Sequence, residues 1–240
     1  MNANPAGPAD TDTATRGAAE TARSILACPA AVDLVIDGVA DPVADDARLG
    51  LLDLDGAPTF SCRVGGTLSR AAAQGRGCVL TLASGLGPAG SPDRDAFVAL
   101  AGRLRRTGVD QCDCCEELRD LVAVDLDSIR LSQAGTRIAI SVADFAAGEH
   151  MLNRGYLQRA TEHANDAHQS ELRQAIASRL DRRADDILAV SLASLTSRGV
   201  EVRWVDGAGG HRTVLRFPYA ATTPRQLGDL LRRQLHPRLC

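Results

Sequence analysis

Two histidines and an asparagine stand together in the last third of the chain, in His163-Ala-Asn-Asp-Ala-His168. From Glu162 to Arg179 the apolar residues continue as Leu172, Ala175 and Ile176, with Leu180 beyond, a spacing that predicts one continuous helix. On that helix Asn165, His168 and Leu172 share a stripe, because residues three and four apart are neighbours. His163 falls about 140° away at roughly 100° per residue. His168 is therefore expected inside, hydrogen-bonded near Asn165, and His163 outside, toward solvent or a ligand. Imidazole is the commonest metal ligand and a frequent ligand of haem iron. The pair reads either as buried structural histidines or as a ligand site.

The chain has seven cysteines, densest at Cys112-Asp-Cys114-Cys115 after Gly108-Val-Asp-Gln111. Thiolates this close could hold a metal ion or an iron–sulfur cluster. A fourth ligand would have to come from Cys62, Cys78, Cys240 or another subunit. Cys112 and Cys115 also have the two-residue separation of redox-active pairs. The alternative is a group of ordinary surface thiols. Cys28-Pro29 has the form of a haem-regulatory dipeptide, and the C-terminal His236-Pro-Arg-Leu-Cys240 offers one more imidazole and thiol. As the last turn of a helix, His236 would also suit the negative end of the helix dipole.

Positioning these groups needs a folded frame, and composition bounds it. The chain is 240 residues long, 45% hydrophobic and 3% aromatic. It can hold one large or two small domains with aliphatic cores. All 27 basic residues are arginine. That excludes a phosphate-loop lysine, a lysine Schiff base and a lysine general base. From Met151 onward 14 arginines face 9 acidic residues, a net of +5, and the first 150 residues carry 13 against 21, a net of −8, together −3. A basic C-terminal half suits an anionic ligand or partner, or simply complements the acidic half. No aromatic cluster accompanies the arginines, so nucleic acid is an unfavoured partner. No window approaches the ~20 apolar residues of a membrane span, and no secretory signal pattern opens the chain. A cytoplasmic protein is the default expectation.

Residues 1–17 lack periodicity and are predicted disordered. A helix is expected over 18–27. Short strands follow at 32–36, 49–54, 59–62, 78–82, 97–100, 118–131 and 137–142, with a helix at 67–74. Asp55-Gly56 marks a hairpin. Many short strands with turn signals indicate a barrel. Around 146–150 a connector leads to a helix at 152–159, the His163 helix, strands at 200–205 and 211–217, and a final helix. Thr223 as N-cap, Pro224 at the first position and Gln226 three residues after the cap signal its start. Leu227, Leu230, Leu231 and Leu235 form its apolar face. The expectation is an α+β protein, a barrel over 18–150 and helices on an antiparallel sheet over 151–240.

The H-x-N-x-x-H start, the helix behind it and the strands Val200-Glu-Val-Arg-Trp204 and Thr213-Val-Leu-Arg-Phe217 resemble a small domain of formally unknown function. That domain is fused to pyridoxamine-phosphate-oxidase-like split barrels in HugZ-type haem oxygenases and in plastid haem-binding relatives. The resemblance covers residues 151–240, and the first 150 residues are similar to the split barrel by pattern. It implies a split-barrel homodimer that binds haem, either degrading it for iron release or acting as a non-catalytic regulator of tetrapyrrole or iron metabolism. His163, Asn165, His168 and His236 are the candidate haem-binding residues, and Cys112, Cys114 and Cys115 the candidate metal ligands. His236 is included for its chemistry alone, since the domain order is that of the plastid relatives. The cysteines have no counterpart in the family pattern. A third possibility is a flavin- or deazaflavin-dependent reductase, with Arg63, Arg70, Arg103, Arg105 and Arg106 available for a phosphate. The segment between Cys62 and Cys78 lacks the basic phosphate-binding pattern of flavin-using members, which makes flavin less favoured than haem.

If the barrel dimerises as the resemblance implies, light scattering at micromolar concentration should return twice the chain mass of 25.2 kDa. A monomer mass would exclude it.

Overall fold

In a computed structural model, which describes residues 8–42, 45–111 and 117–235, the chain divides into two compact units, Met1–His150 and Met151–Cys240. The fold is α+β.

The N-terminal unit begins with α1 (Pro8–Ala27), ten residues earlier than its apolar pattern suggests. The strands β1 (Pro29–Ile36), β2 (Gly50–Leu54), β3 (Ala57–Arg63), β4 (Gly77–Ser84), β5 (Phe97–Gln111), β6 (Leu118–Gln133) and β7 (Thr136–Ile140) form one antiparallel sheet. Its order is β1-β4-β5-β6-β3-β2, with β7 also on β6. The helices α2 (Thr67–Ala73) and α3 (Val142–Phe145) complete the unit. The sheet curls as a half-barrel. Its two end strands, β1 and β2, line a single cavity of about 500 Å³ between them.

Period-two burial builds the inside of this sheet. Cys78, Leu80 and Leu82 on β4, Val98, Leu100 and Leu104 on β5, and Val122, Val124, Ile129 and Leu131 on β6 are all buried. Two bulges, at Ala101/Gly102 and Arg106/Gly108, bend the long β5–β6 pair. Gly102 is required at the first, because an added Cβ would lie 2.1 Å from the Asp125 carbonyl oxygen. The Asp55-Gly56 hairpin forms as expected, with φ of 54° and 91°, the mirror-image turn that glycine favours.

The α1 helix seals the unit with Ala18, Ala19, Ala22, Ile25 and Leu26. Among them is Arg23, whose side chain is 1% exposed. It donates through Nε and Nη2 to both carboxylate oxygens of Asp53 at 3.0 and 3.1 Å, and through Nη1 to the Phe145 carbonyl at 2.8 Å. The guanidinium also lies over the Phe145 ring, 5.5 Å from its centroid. One buried cation therefore joins α1, β2 and α3.

The C-terminal unit contains α4 (Arg154–Ala167), α5 (Gln169–Arg179), β8 (Ile187–Thr196), β9 (Gly199–Asp206), β10 (Gly209–Arg216) and α6 (Pro224–Leu235). The strands form an antiparallel meander, with order β10-β9-β8. Its core joins Leu172 and Ile176 of α5, Val190 and Leu192 of β8, Val200 and Val202 of β9, Leu215 of β10, and Leu227 and Leu230 of α6. Asn153 caps α4 by accepting from Tyr156 N at 2.9 Å. At α6 the Thr223 hydroxyl accepts from Gln226 N at 3.2 Å, while the Gln226 amide oxygen reaches back to Thr222 rather than Thr223.

Removing the buried cation should strand Asp53. Arg23→Met is expected to lower the unfolding free energy by about 3–5 kcal/mol, the cost of breaking a buried ion pair from one side. Urea denaturation measures it. A loss under 1 kcal/mol would mean that the pair is replaceable by packing alone.

Candidate functional site

The expected single helix around His163 is two helices. α4 stops at Ala167, and His168 stands between α4 and α5 with φ −121° and ψ 32°. This turn displaces His168 from the Asn165–Leu172 stripe. Its side chain is 49% exposed, and its Nδ1 lies 3.7 Å from Glu171 Oε1. The expectation of a buried His168 bonded near Asn165 is therefore corrected: a non-helical residue broke the phase that the apolar spacing assumed. The same break brings the two imidazoles together. The His163 and His168 rings meet edge to face, with centroids 5.1 Å apart and planes at 87°.

Asn165 has a different partner. Its amide nitrogen donates to the Leu192 carbonyl at 2.9 Å, and its amide oxygen accepts from Leu192 N–H at 2.8 Å. One side chain thus satisfies both backbone groups of a residue at the β8 bulge, where the register shifts between Leu192 and Ser194. Asn165 clamps α4 to β8.

Above this clamp lies a cavity of about 770 Å³, within the size range of small-molecule sites. The α4 face supplies Tyr156, Arg159 and His163, one helical turn apart. The α5 start adds His168, Glu171 and Leu172, β8 adds Leu192, and α6 adds Leu227, Leu231 and Leu235. The walls are mostly aliphatic, with two imidazoles and the guanidinium groups of Arg159 and Arg232 among the polar groups. Ser170 donates to Glu171 at 2.7 Å and, with a smaller contribution from His168, holds the Glu171 carboxyl below its usual range. Gly228 also lines the cavity. An added Cβ there would meet only Arg232 Nη2, at an ordinary 3.7 Å. No backbone strain calls for glycine, yet glycine inside a helix costs about 1 kcal/mol relative to alanine. Its one effect on this wall is to leave room.

These features fit haem: an aliphatic groove open to solvent on one side, imidazole nitrogens for iron, and cations for carboxylates. His236, Cys112, Cys114 and Cys115 lie outside the described residues, as does Cys240. His236 directly follows Leu235, a residue of the cavity wall. The other cysteines proposed as a fourth ligand are poorly suited. Cys62 and Cys78 are buried in the sheet interior, and burial pushes both thiols up to about 11, helped at Cys62 by the Asp120 carboxylate. Cys28 is also buried, which does not suit an exposed haem-regulatory thiol. Among the described residues no group of three or more His, Cys, Asp or Glu side chains could hold a metal ion. Of the arginines considered for a flavin phosphate, Arg105 binds both oxygens of Asp125, Arg106 pairs with Asp120, and Arg70 and Arg103 donate to backbone carbonyls. These four are thus engaged within the protein, and Arg63 is exposed at the end of β3.

A second polar cluster escaped the sequence reading. Asp206, 3% exposed at its side chain, accepts from His211 Nε2 at 2.9 Å, Ala208 N at 2.8 Å and Arg182 Nη1 at 2.6 Å. The His211 contact, first among these, draws the Asp206 carboxyl below its usual range. His211 stacks on Trp204 at 5.2 Å. The cluster fastens the β9–β10 turn to the end of α5. The strands expected at 200–205 and 211–217 leave room for a turn at Asp206, but nothing in the sequence marks the partners of its carboxylate.

No family model matches the chain, and no curated protein matches it. Among solved structures it is similar to a haem binding protein from Mycobacterium smegmatis, with 17% identity, a TM-score of 0.42, and coverage of 92% of this chain and 96% of that one. It is also similar to a protein of unknown function from Agrobacterium tumefaciens str. C58, with 18% identity, a TM-score of 0.39, and coverage of 98% and 100%. No described helix is long and apolar enough to cross a membrane.

The clamp and the imidazole should separate in stability measurements. Asn165→Ala leaves two Leu192 backbone groups unpaired and should cost about 2–4 kcal/mol. His168→Ala, at an exposed junction, should change stability by less than about 0.5 kcal/mol. Thermal and urea melts of both variants decide it, and the reverse order would refute the assignment.

Proposed function

We propose that the C-terminal unit binds haem in the cavity between α4, α5 and α6, with His163 as the first candidate for the iron ligand. The observation that carries this reading is the placement of His163 and His168 together on one aliphatic cavity bounded by arginines. When bound, haem supplies an iron centre that takes an imidazole nitrogen. The chain's own residues do the rest. His163 sits on regular helix, so α4 fixes the direction of its Cα–Cβ bond toward the cavity. His168, beside it at the helix junction, sets a second imidazole against that ring, with its Nδ1 3.7 Å from Glu171 Oε1. Arg159 and Arg232 offer guanidinium donors to carboxylates. Leu172, Leu227, Leu231 and Leu235 exclude water from the flat apolar body. Gly228 keeps the wall open.

Binding is the part of the reading that this geometry supports. Oxidative degradation for iron release, and a homodimeric barrel, are further proposals drawn from the family resemblance. His236, next to the cavity wall in sequence, is the second candidate ligand and His168 the third.

Haemin titration followed by the Soret band tests the reading. The wild type should saturate at one equivalent per chain. His163→Ala should shift the Soret maximum and weaken binding at least tenfold. Gly228→Leu, which fills the wall without touching a histidine, should weaken binding while keeping the fold by circular dichroism. Unchanged spectra and affinities in both variants would place haem elsewhere or nowhere.

A further inference from the structure

The three-stranded sheet has a second face, away from the side chains of Val190, Val202 and Leu215 that build the core. Register determines what stands on it. Ser191 of β8 is opposite Arg203 of β9, and Arg203 is opposite Arg212 of β10, so these three share one row across three strands. Like charges directly opposite each other destabilise a strand pair. The relief here is incomplete. Arg203 donates through Nε to Glu201 at 2.7 Å, and no described residue engages its terminal nitrogens. Among the described residues Arg212 has no ion-pair partner.

The neighbouring row is Ala189, Val205 and Gly210. Small residues at its two ends leave the surface concave, and the two rows together line a cavity of about 590 Å³. Two guanidinium groups and a hydroxyl thus stand in one line above a shallow floor. A guanidinium presents paired N–H donors that match the oxygens of a phosphate, and its charge persists at any pH of interest.

We propose that this face is an anion site for a phosphate group, held between Arg203 and Arg212 with Ser191 as a third donor. The anion neutralises the arginine pair that the sheet otherwise carries at a cost in stability. The site uses none of the residues of the three-helix cavity, apart from sharing β8, and stands whether or not that cavity takes haem. A free phosphate and a phosphate ester share this chemistry. The floor beside the arginines distinguishes them, since only an ester has a body to lay on it.

The thermodynamic signature is specific. Bound phosphate should raise the melting temperature of the full-length wild type above that in sodium chloride of equal ionic strength. Arg212→Thr removes the like-charge pair and places a good strand former on β10. It should melt higher than wild type without phosphate and lose the phosphate-specific increment. Arg212→Gln should lose the increment as well, so the result does not depend on the choice of threonine. Glu201→Gln frees Arg203 from its competitor and should enlarge the increment. Isothermal titration with inorganic phosphate should show at least a tenfold loss of affinity in Arg212→Thr, and phenyl phosphate binding tighter than inorganic phosphate would assign an ester. General salt exclusion stabilises wild type and variants alike. If Arg212→Thr and Arg212→Gln keep the full phosphate increment, or the wild type shows none beyond chloride, the site does not exist.

Discussion

The C-terminal unit depends on one amide. β8 cannot run as a regular strand, because bulges at Ile187/Ala189 and Leu192/Ser194 interrupt its pairing with β9. Asn165 takes up both backbone groups of Leu192 from the helix side. That pair of bonds fixes the rotation of α4 about its own axis. The rotation in turn places Tyr156, Arg159 and His163 along the cavity that α6 also lines, with Arg159 and His163 still reached by solvent. The cavity, its imidazoles and its cations are consequences of where a single carboxamide found a bulge.

The same bulges explain what was hidden from the sequence. β8 buries Ile187, Val190, Leu192 and Leu195, at intervals of three, two and three. An uninterrupted strand alternates strictly, so this mixed spacing looks like neither strand nor helix. Strands with clean alternation, such as β4, were legible, as was the Asp55-Gly56 turn. The break at His168 was not, because neither glycine nor proline marks it. A cap made by the residue's own backbone leaves no compositional trace. The imidazole pair was therefore recognised as chemistry but placed on opposite faces of a helix that does not continue. The length of α1 was underestimated for a related reason: its first turns lack the apolar periodicity that marks the rest.

The lysine-free composition has a physical counterpart in how the arginines are used. Arg23 is enclosed, and its guanidinium engages both carboxylate oxygens of Asp53 and the Phe145 carbonyl together. Arg182 reaches a buried carboxylate from the surface with its aliphatic stem. Arg119 donates through Nε to the Ser61 hydroxyl at 3.1 Å, through Nη1 to Glu117 at 3.3 Å and through Nη2 to Asp46 at 2.8 Å, tying the segment before β2 to the β3–β6 pair. A lysine, with one compact ammonium group, would not span such sets of acceptors. Arginine serves as multi-acceptor mortar in both units.

The Arg23 contact with the Phe145 carbonyl closes a loop of 122 residues, whereas Asn165 and Leu192 are 27 apart. During synthesis at about 5–20 residues per second, the Asp53 carboxylate follows Arg23 by 30 residues, and the Phe145 carbonyl that completes its set of acceptors follows by 122. Until then one Arg23 donor, set among the apolar residues of α1, lacks the acceptor it has in the folded unit. The C-terminal unit, with strands joined in sequential hairpins and short closures, is built for rapid local assembly. The first helix to emerge thus completes its hydrogen-bond set only when α3, at the far end of its unit, has been made.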